Sequence, residues 1–552
     1  MDIADTKTAE TFKERFSCTN HWPEGHIEMA KRWIERCEKQ HKRCRRTTNP
    51  VMPTRVIDVG VEASENSPRL VVPAEGQRDP YVALSYCWGP TNAGSTQLSK
   101  GEPKDMFRPT DYNEMRRAHR EAIDITRALE FRYLWVDALC IIQGSAEDWE
   151  TESKKMSSVY GNAALTIVAG RSNDGSKSFI ANDLKPAVTP YILPMSENAD
   201  DGHVCLTLPR SRETGPVSAR AWCHQEEILS HRLVIYGEEQ FSWKCQQIRV
   251  WEDGSLNLYT PNPDGRKLMI SDLEALSSNT PKNRAYALWY RMLLVYTSTA
   301  LSYPGDIFAA VTGIAQLVQG LVKTRYLAGV WEDDLVRGLL WMPRHQAYMG
   351  KWERLTRPVD REHKEMTRAP SWSWASVIGP VVHYHNERTE GIYCDKSKWC
   401  ITPQIEDGGD KKWTKQEDCD ADRLNMPKCE LQMFGKILEV RIAKTDKKAR
   451  DFARSPVLNN RLSSASSRIK HGVLLGAADE PGKIIAMALL DLPAEAETYV
   501  NLYCLPLIDN EGLLLRRHSN PNASNMFLRV GIFAPLDLGP FKHAEIVPVN
   551  MT

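Results

Sequence analysis

Between residues 80 and 250 the chain repeats one pattern: a short apolar run, a stretch with helical periodicity, then another apolar run. Tyr81-Val82-Ala83-Leu84-Ser85-Tyr86 is the first run, and Trp88-Gly89-Pro90 ends it with a turn. Met115, Ala118, Ala122, Ile125 and Leu129 then recur at spacings of three and four, the stripe of an amphipathic helix. Tyr133-Leu134-Trp135-Val136 follows, the mostly apolar run of a strand covered on both faces. Ser145 and Asp148 form a capping-box signature for a further helix, with Trp149, Met156 and Tyr160 turned inward and Gly161-Asn162 as its stop. Residues 164–169 read as the next strand and residues 219–229 as the next helix; Arg232–Tyr236 and Phe241-Ser242-Trp243 are the strands after it. Strands alternating with helices in this way predict an α/β domain, a mostly parallel sheet flanked by helices.

The flanks have other textures. At roughly 150 residues per domain, 552 residues predict about two to four domains. The boundaries read as a helical lead-in over 1–70, the α/β domain over 71–255, a mainly helical region over 256–365 and a β-rich region over 366–552. Polar insertions at 406–423 and 445–468 are expected as exposed loops. Charge is balanced, with 71 basic and 71 acidic residues, which argues against a nucleic-acid partner. The most apolar long segment, 285–303, carries Arg291 and reads as a buried helix, so no membrane span is expected. The N-terminus lacks the apolar core of a signal peptide. Thirteen cysteines, an odd count in a long chain, predict a reduced cytoplasmic protein.

Several residues are placed for chemistry. Asp137 directly follows the strand Tyr133–Val136, and ligands of parallel sheets meet the chain at such carboxyl ends; an aspartate capping its own turn is the alternative. Cys140 and Gln143 follow closely. In Arg220-Ala221-Trp222-Cys223-His224-Gln225-Glu226, helical spacing puts Trp222, Gln225, Glu226 and Leu229 on one face. A carboxylate in an apolar stripe needs a partner or a cleft, so Glu226 either pairs with Arg220 or Arg232 or acts in catalysis. Ser85, Tyr86 and Trp88 sit where the first strand turns, without the G-x-S-x-G of a nucleophile elbow. Cys87 or Cys140 with His224 would make a thiol–imidazole pair, although buried inert cysteine is the commoner case. Cys37, His41 and Cys44 share a helix face, and with Cys18 as a fourth ligand would suit zinc; the spacing is not that of a standard finger, so they read first as core residues and no metal is assigned. Ser371-Trp372-Ser373-Trp374 alternates like a half-buried strand, with a tryptophan binding platform as the other reading.

Taken together, these blocks resemble the fungal heterokaryon-incompatibility (HET) domain. Tyr81–Gly89 is similar to its opening block and Arg132–Gln143 to its central block. Asp148-Trp149, Met156, Tyr160, Ala163 and the strand to Ala169 continue in order, and Arg220–Glu226 through Arg232 matches the third block. The likeness covers residues 80–230. Where threonine and leucine are common before the Gln-Glu pair, this chain has Cys223 and His224. The resemblance implies a role in fungal non-self recognition and programmed cell death. It also implies distant kinship with TIR domains, whose flavodoxin-like sheet cleaves NAD with a glutamate.

On that basis Asp137, Glu226, Cys140 and His224 are the candidate catalytic residues. Ser85, Tyr86, Trp88, Gln143, Arg220, Trp222 and Gln225 are candidates for substrate contacts. NAD or another small molecule is the expected ligand, with no certain cofactor, and a protein partner is open. The competing functions are an enzyme of a fungal specialised-metabolite pathway using the same cleft, and a non-catalytic interaction module.

Overall fold

In the computed structural model the chain divides into two compact units, Met1–Leu276 and Ser277–Thr552. The structure describes residues 24–44, 50–60, 68–89, 111–180, 191–194, 203–206, 214–253, 256–258, 269–276, 280–346, 351–352, 355–360, 362–383, 399–407, 410–413, 429–443, 473–478, 483–492, 499, 501–508, 511–519, 525–536 and 539–552.

The first unit is built on a nine-stranded sheet. Its strands are β1 (Val56–Asp58), β2 (Arg69–Val71), β3 (Tyr81–Ser85), β4 (Tyr133–Trp135), β5 (Leu165–Val168), β6 (Arg232–Tyr236), β7 (Phe241–Cys245), β8 (Ile248–Trp251) and β9 (Leu256–Leu258). Across the sheet they run β9-β8-β7-β6-β5-β3-β4-β1-β2. The expected parallel sheet is its centre: β4, β3, β5 and β6 pair parallel to one another. Antiparallel strands extend both sides, β1 and β2 beside β4, and β7, β8 and β9 beside β6. The central strands are the mostly apolar runs of the sequence because both faces are covered. Every residue of β3, β5 and β6 is buried.

The helices that frame the sheet and its loops include α1 (Glu24–Gln40), α2 (Arg117–Ala128), α3 (Asp137–Cys140), α4 (Ala146–Asn162) and α5 (Ala221–Leu229). The Ser145 side chain caps α4 by accepting from the Asp148 N–H. The Asp148 carboxylate does not return the bond as a capping box would. It accepts from Arg55 at 2.6 and 2.7 Å and from the Ile142 N–H at 2.8 Å, locking the loop after α3. Met156 and Tyr160 are buried as expected, but Trp149 is 37% exposed, with its ring edge-on to Trp222 at 5.5 Å. The α5 helix is also not one-sided. Ala221, Cys223, His224, Gln225, Glu226, Ile228 and Leu229 are all buried, so its polar residues lie inside whichever face they occupy.

The second unit joins helices and β-structure. Helices Lys282–Tyr296 and Ala309–Val322 pack together. The stretch Pro304–Val322 is the one, among the described residues, long and apolar enough to cross a membrane, one helix later than the sequence pattern pointed to. More than half of it is buried, as in a core helix. Six antiparallel strands, Leu438–Ile442, Val473–Ala477, Ile484–Leu490, Leu502–Ile508, Glu511–Arg517 and Met526–Pro535, close on themselves as a barrel. Its interior is filled by Val440, Leu475, Ile485, Leu502, Leu514 and Phe533.

Two expectations change here. Ser371–Trp374 is a tight turn rather than a strand, leading into a 3-10 turn at Trp374–Ser376. Both tryptophans are buried and donate to backbone oxygens, Trp374 to Gly329 at 2.7 Å and Trp372 to Met551 at 3.2 Å, so they offer no platform to a ligand. The polar insertion at 406–423 opens as a hairpin, Cys400–Asp407 with Asp410–Trp413, rather than as a loop. The rest of it and the insertion at 445–468 lie outside the described residues.

Candidate active site

The β3 strand delivers Ser85 at its carboxyl end, and the chain then turns through Tyr86, Cys87 and Trp88. The turn depends on Gly89 at φ +78°, where an added Cβ would lie 2.6 Å from the Asp174 carboxylate and 2.9 Å from the Asp174 backbone. This geometry sends the Trp88 indole to Asp137, whose Oδ2 accepts its N–H at 2.8 Å. Asp137 begins α3 immediately after β4, and its Oδ1 accepts the Ala138 N–H at 2.7 Å. Both readings of Asp137 are therefore present at once: it caps its own turn, and it also holds a residue of the neighbouring strand's loop.

Arg220, directly before α5, donates to the Tyr86 carbonyl at 2.5 Å and ties the helix to the same turn. Arg116 donates to the Trp88 carbonyl. The Tyr86 hydroxyl lies 2.9 Å from His119 Nε2 and also hydrogen-bonds Asp137. Burial and the Arg116 charge depress the His119 pKa to about 3, so it is a neutral partner. Burial pushes the Tyr86 hydroxyl far up, and the Asp137 charge adds to this.

Glu226 closes the group from α5. Burial raises its pKa to about 7; hydrogen bonds from Ser85 and Cys223 and the charge of Arg220 pull down, while Asp137 pushes up. One of its oxygens, Oε2, is buried without a hydrogen-bond partner. Asp137 is also raised by burial, against the Trp88 indole, the Arg220 charge, the Ala138 N–H and the Tyr86 hydroxyl. One cation thus faces two carboxyls. Asp137, with more donors, holds the charge more readily, and Glu226 keeps a proton near neutrality. The next residue shows the contrast: Glu227 accepts from Lys244 at 2.9 Å in a buried ion pair.

Ser85, Tyr86, Trp88, Asp137, Arg220 and Glu226 are thus brought together. Trp222 is half-buried at the start of α5, and His224 and Gln225 are buried on the same helix. Gln143 spends its amide on the Ile141 carbonyl at 2.9 Å and the Asp137 carbonyl at 3.4 Å, bracing its own loop. Cys140 is a buried thiol pushed up to about 12, chiefly by desolvation. Cys87 packs with Cys223, Val168, Val217, Leu233 and Ile235 in an apolar cluster, and burial raises its thiol too. None of these thiols is activated as a thiolate nucleophile would be.

Arg116, His119, Tyr160 and Arg55 join the group although sequence reasoning did not single them out as site residues. Tyr160 donates to the Leu84 carbonyl at 3.0 Å, and the nearby Glu226 charge adds to the burial that pushes its hydroxyl far up; its signals in the sequence were an inward helix face and its place in the family resemblance. Arg55, from the segment before β1, donates to the Cys140 carbonyl at 2.7 Å and fixes the loop behind Asp137, and nothing local in the sequence marks it.

Residues 81–226 match the family model described as Heterokaryon incompatibility protein (HET). No curated protein and no solved structure matches the chain. The matched span begins with β3, which delivers Ser85, and ends on Glu226, so the chain carries a heterokaryon-incompatibility domain whose two limits are the strand and the helix that form the buried cluster.

Proposed function

We propose that this domain hydrolyses NAD or a related dinucleotide, acting in the cytoplasm of a fungal cell as a trigger of programmed death in non-self recognition. The supporting observation is where the polar cluster lies in the sheet. The four parallel strands run second, first, third, fourth by chain position, as β4-β3-β5-β6. That is the order of flavodoxin-like sheets, which bind ligands where the first and third strands part. The Ser85–Trp88 turn leaves β3 at that switch, and a glutamate titrating near neutrality stands beside it.

In this reading the bond between the ribose anomeric carbon and the pyridinium nitrogen breaks, and its electron pair leaves with nicotinamide. Ionised Glu226 faces the positive charge that develops on the ribose, as carboxylates do in glycoside hydrolysis. Water adds to the anomeric carbon and gives its proton to Glu226, leaving ADP-ribose. Arg220 is the group suited to a diphosphate, and the rings of Trp88 and Trp222 to nicotinamide or adenine. Since the acting form of Glu226 is ionised, turnover falls as pH drops below about 7.

Purified chain incubated with NAD, with nicotinamide and ADP-ribose followed by chromatography, tests the proposal. Glu226→Gln is expected to lose about 100-fold or more in turnover while remaining folded. A folded wild-type chain that neither consumes NAD nor harms fungal cells on induction overturns it. A second reading, a non-catalytic interaction module, is favoured by a specific observation: Trp88, Asp137 and Arg220 are all tied to the protein's own groups, as fold determinants are. Cell killing that survives Asp137→Asn with Glu226→Gln, at unchanged stability, would decide for the module.

A further inference from the structure

We propose that Cys37, His41, Cys44 and Cys245 bind one zinc ion, a structural site that fastens the N-terminal helix to the sheet of the first unit. All four are buried, and their ligand atoms, three sulfurs and one imidazole nitrogen, lie within 4.8 Å of one another. The chain builds this from two places. Cys37 is on the last turn of α1, His41 follows four residues later with its N–H on the Cys37 carbonyl at 3.1 Å, and a 3-10 turn at Lys42–Cys44 brings Cys44 back to the same side. Cys18, the fourth ligand that spacing suggested, lies outside the described residues. Among the described residues the set is completed by Cys245 at the end of β7, with its Sγ 3.3 Å from His41 Nδ1.

The donor set selects the ion. Three thiolates and an imidazole are soft and borderline ligands, with no carboxylate or carbonyl oxygen as calcium or magnesium would require. A tetrahedron with zinc–sulfur bonds of about 2.3 Å has sulfur–sulfur edges of about 3.8 Å, so the ligand atoms need close in by at most about 1 Å. Four protein ligands leave no position for water or substrate, which makes the role structural.

The surroundings suit a site carrying one negative charge in excess. The backbone N–H groups of Gln247 and Ile248 hydrogen-bond to the Cys245 sulfur. Arg232, directly opposite Cys245 across the β6–β7 ladder, donates to the Cys44 carbonyl at 3.2 Å. The ion would reinforce a docking that already exists, since the Trp33 and His26 rings of α1 stack on Phe241 of β7 at 5.3 and 4.5 Å.

Metal analysis of the full chain, expressed with zinc and freed of loosely bound ions, should give about one zinc per chain. Cobalt substitution should give the visible bands of a tetrahedral thiolate site. Cys245→Ser should lose the metal. Cys504→Ser, a buried cysteine of the other unit, should retain it. Should Cys245→Ser fail to fold, Cys245→His keeps a ligand and should bind cobalt with a weaker sulfur-to-metal charge-transfer band. Stripping the zinc with a strong chelator should expose Lys31, Lys39 and Arg43 to trypsin. A folded wild-type chain without metal, whether its three thiols are free or two are joined as a disulfide by mass, overturns the proposal, as does undiminished zinc in Cys245→Ser. None of these outcomes depends on whether the domain hydrolyses NAD.

Discussion

Replacing Glu226 by glutamine removes one titratable proton from the interior of the first unit while keeping the side chain's size and shape. The wild-type carboxyl titrates at about 7 in the folded chain against an ordinary value of 4.5. A tenfold change in proton affinity is worth about 1.4 kcal/mol, so ionised Glu226 costs the folded state about 3 kcal/mol. The sign follows from proton counts. Between the two pKa values the folded chain holds a proton that the unfolded chain has lost, so stability falls as pH rises. Below about pH 4.5 both states are protonated and nothing is lost; above about pH 7 both are ionised and the full cost is present. Urea unfolding of wild type and Glu226→Gln from about pH 5 to pH 8 reads this directly. Two units unfold, and the transition that responds to the substitution belongs to the one carrying residue 226. Wild type should lose about 2 to 3 kcal/mol relative to the variant across that range. A flat difference would mean that Arg220 already neutralises an ionised Glu226, and the idea of a carboxyl poised near neutrality would be refuted.

Arg55→Ala should cost about 3 to 5 kcal/mol by urea unfolding, because it strands the half-buried Asp148 carboxylate and frees the loop behind Asp137. Gly89→Ala should cost about 1 to 3 kcal/mol, from the positive φ and the contact with Asp174, and should loosen Trp88 from Asp137, read as a change in tryptophan fluorescence. In the second unit, Arg529→Met should cost about 3 to 5 kcal/mol by the same unfolding assay. Its guanidinium is buried on both oxygens of Asp491 at 3.0 Å, on the Leu339 and Trp341 carbonyls, and over the Trp341 ring at 3.5 Å.

The central strands were legible because a strand covered on both faces leaves a mostly apolar run, and β3, β5 and β6 each show one, broken only by Ser85, Thr166 and Arg232. Asp137 could be found because strand ends in parallel sheets are where ligands meet the chain, and Glu226 because a carboxyl within apolar surroundings demands an account. What stayed hidden depends on contacts between distant segments. The fourth residue of the proposed zinc site, Cys245, lies 201 positions beyond Cys44 along the chain. Arg55 reaches Asp148 across 93 residues. The serines and tryptophans near residue 372 alternate like a strand, yet a turn forms because both indoles find backbone oxygens from other segments. Periodicity reports which side of an element is covered, not by what. It also failed at α5, where burial on nearly every side removes the amphipathic signal.

Two buried charged groups, one in each unit, separate structure from function. Arg529 spends its donors on Asp491 and two backbone oxygens, and its carboxylate partner is held in return. Such a group stabilises only if the pairing is complete, and here it is. Glu226 departs from that rule, with Oε2 buried and without a partner beside a second carboxyl that raises its pKa further. The indole nitrogens of Trp243, Trp289 and Trp331 also lack partners, but they are neutral donors on large apolar rings whose burial repays the loss, and the Nε atoms of Arg116 and Arg232 belong to guanidinium groups that donate through another nitrogen to the Trp88 and Cys44 carbonyls. A glutamate gains little apolar burial, and leucine at residue 226 would fill the space without the electrostatic cost. An incompletely satisfied acid at the switch of a parallel sheet is therefore poorly explained by stability, and it marks the place to look for a ligand.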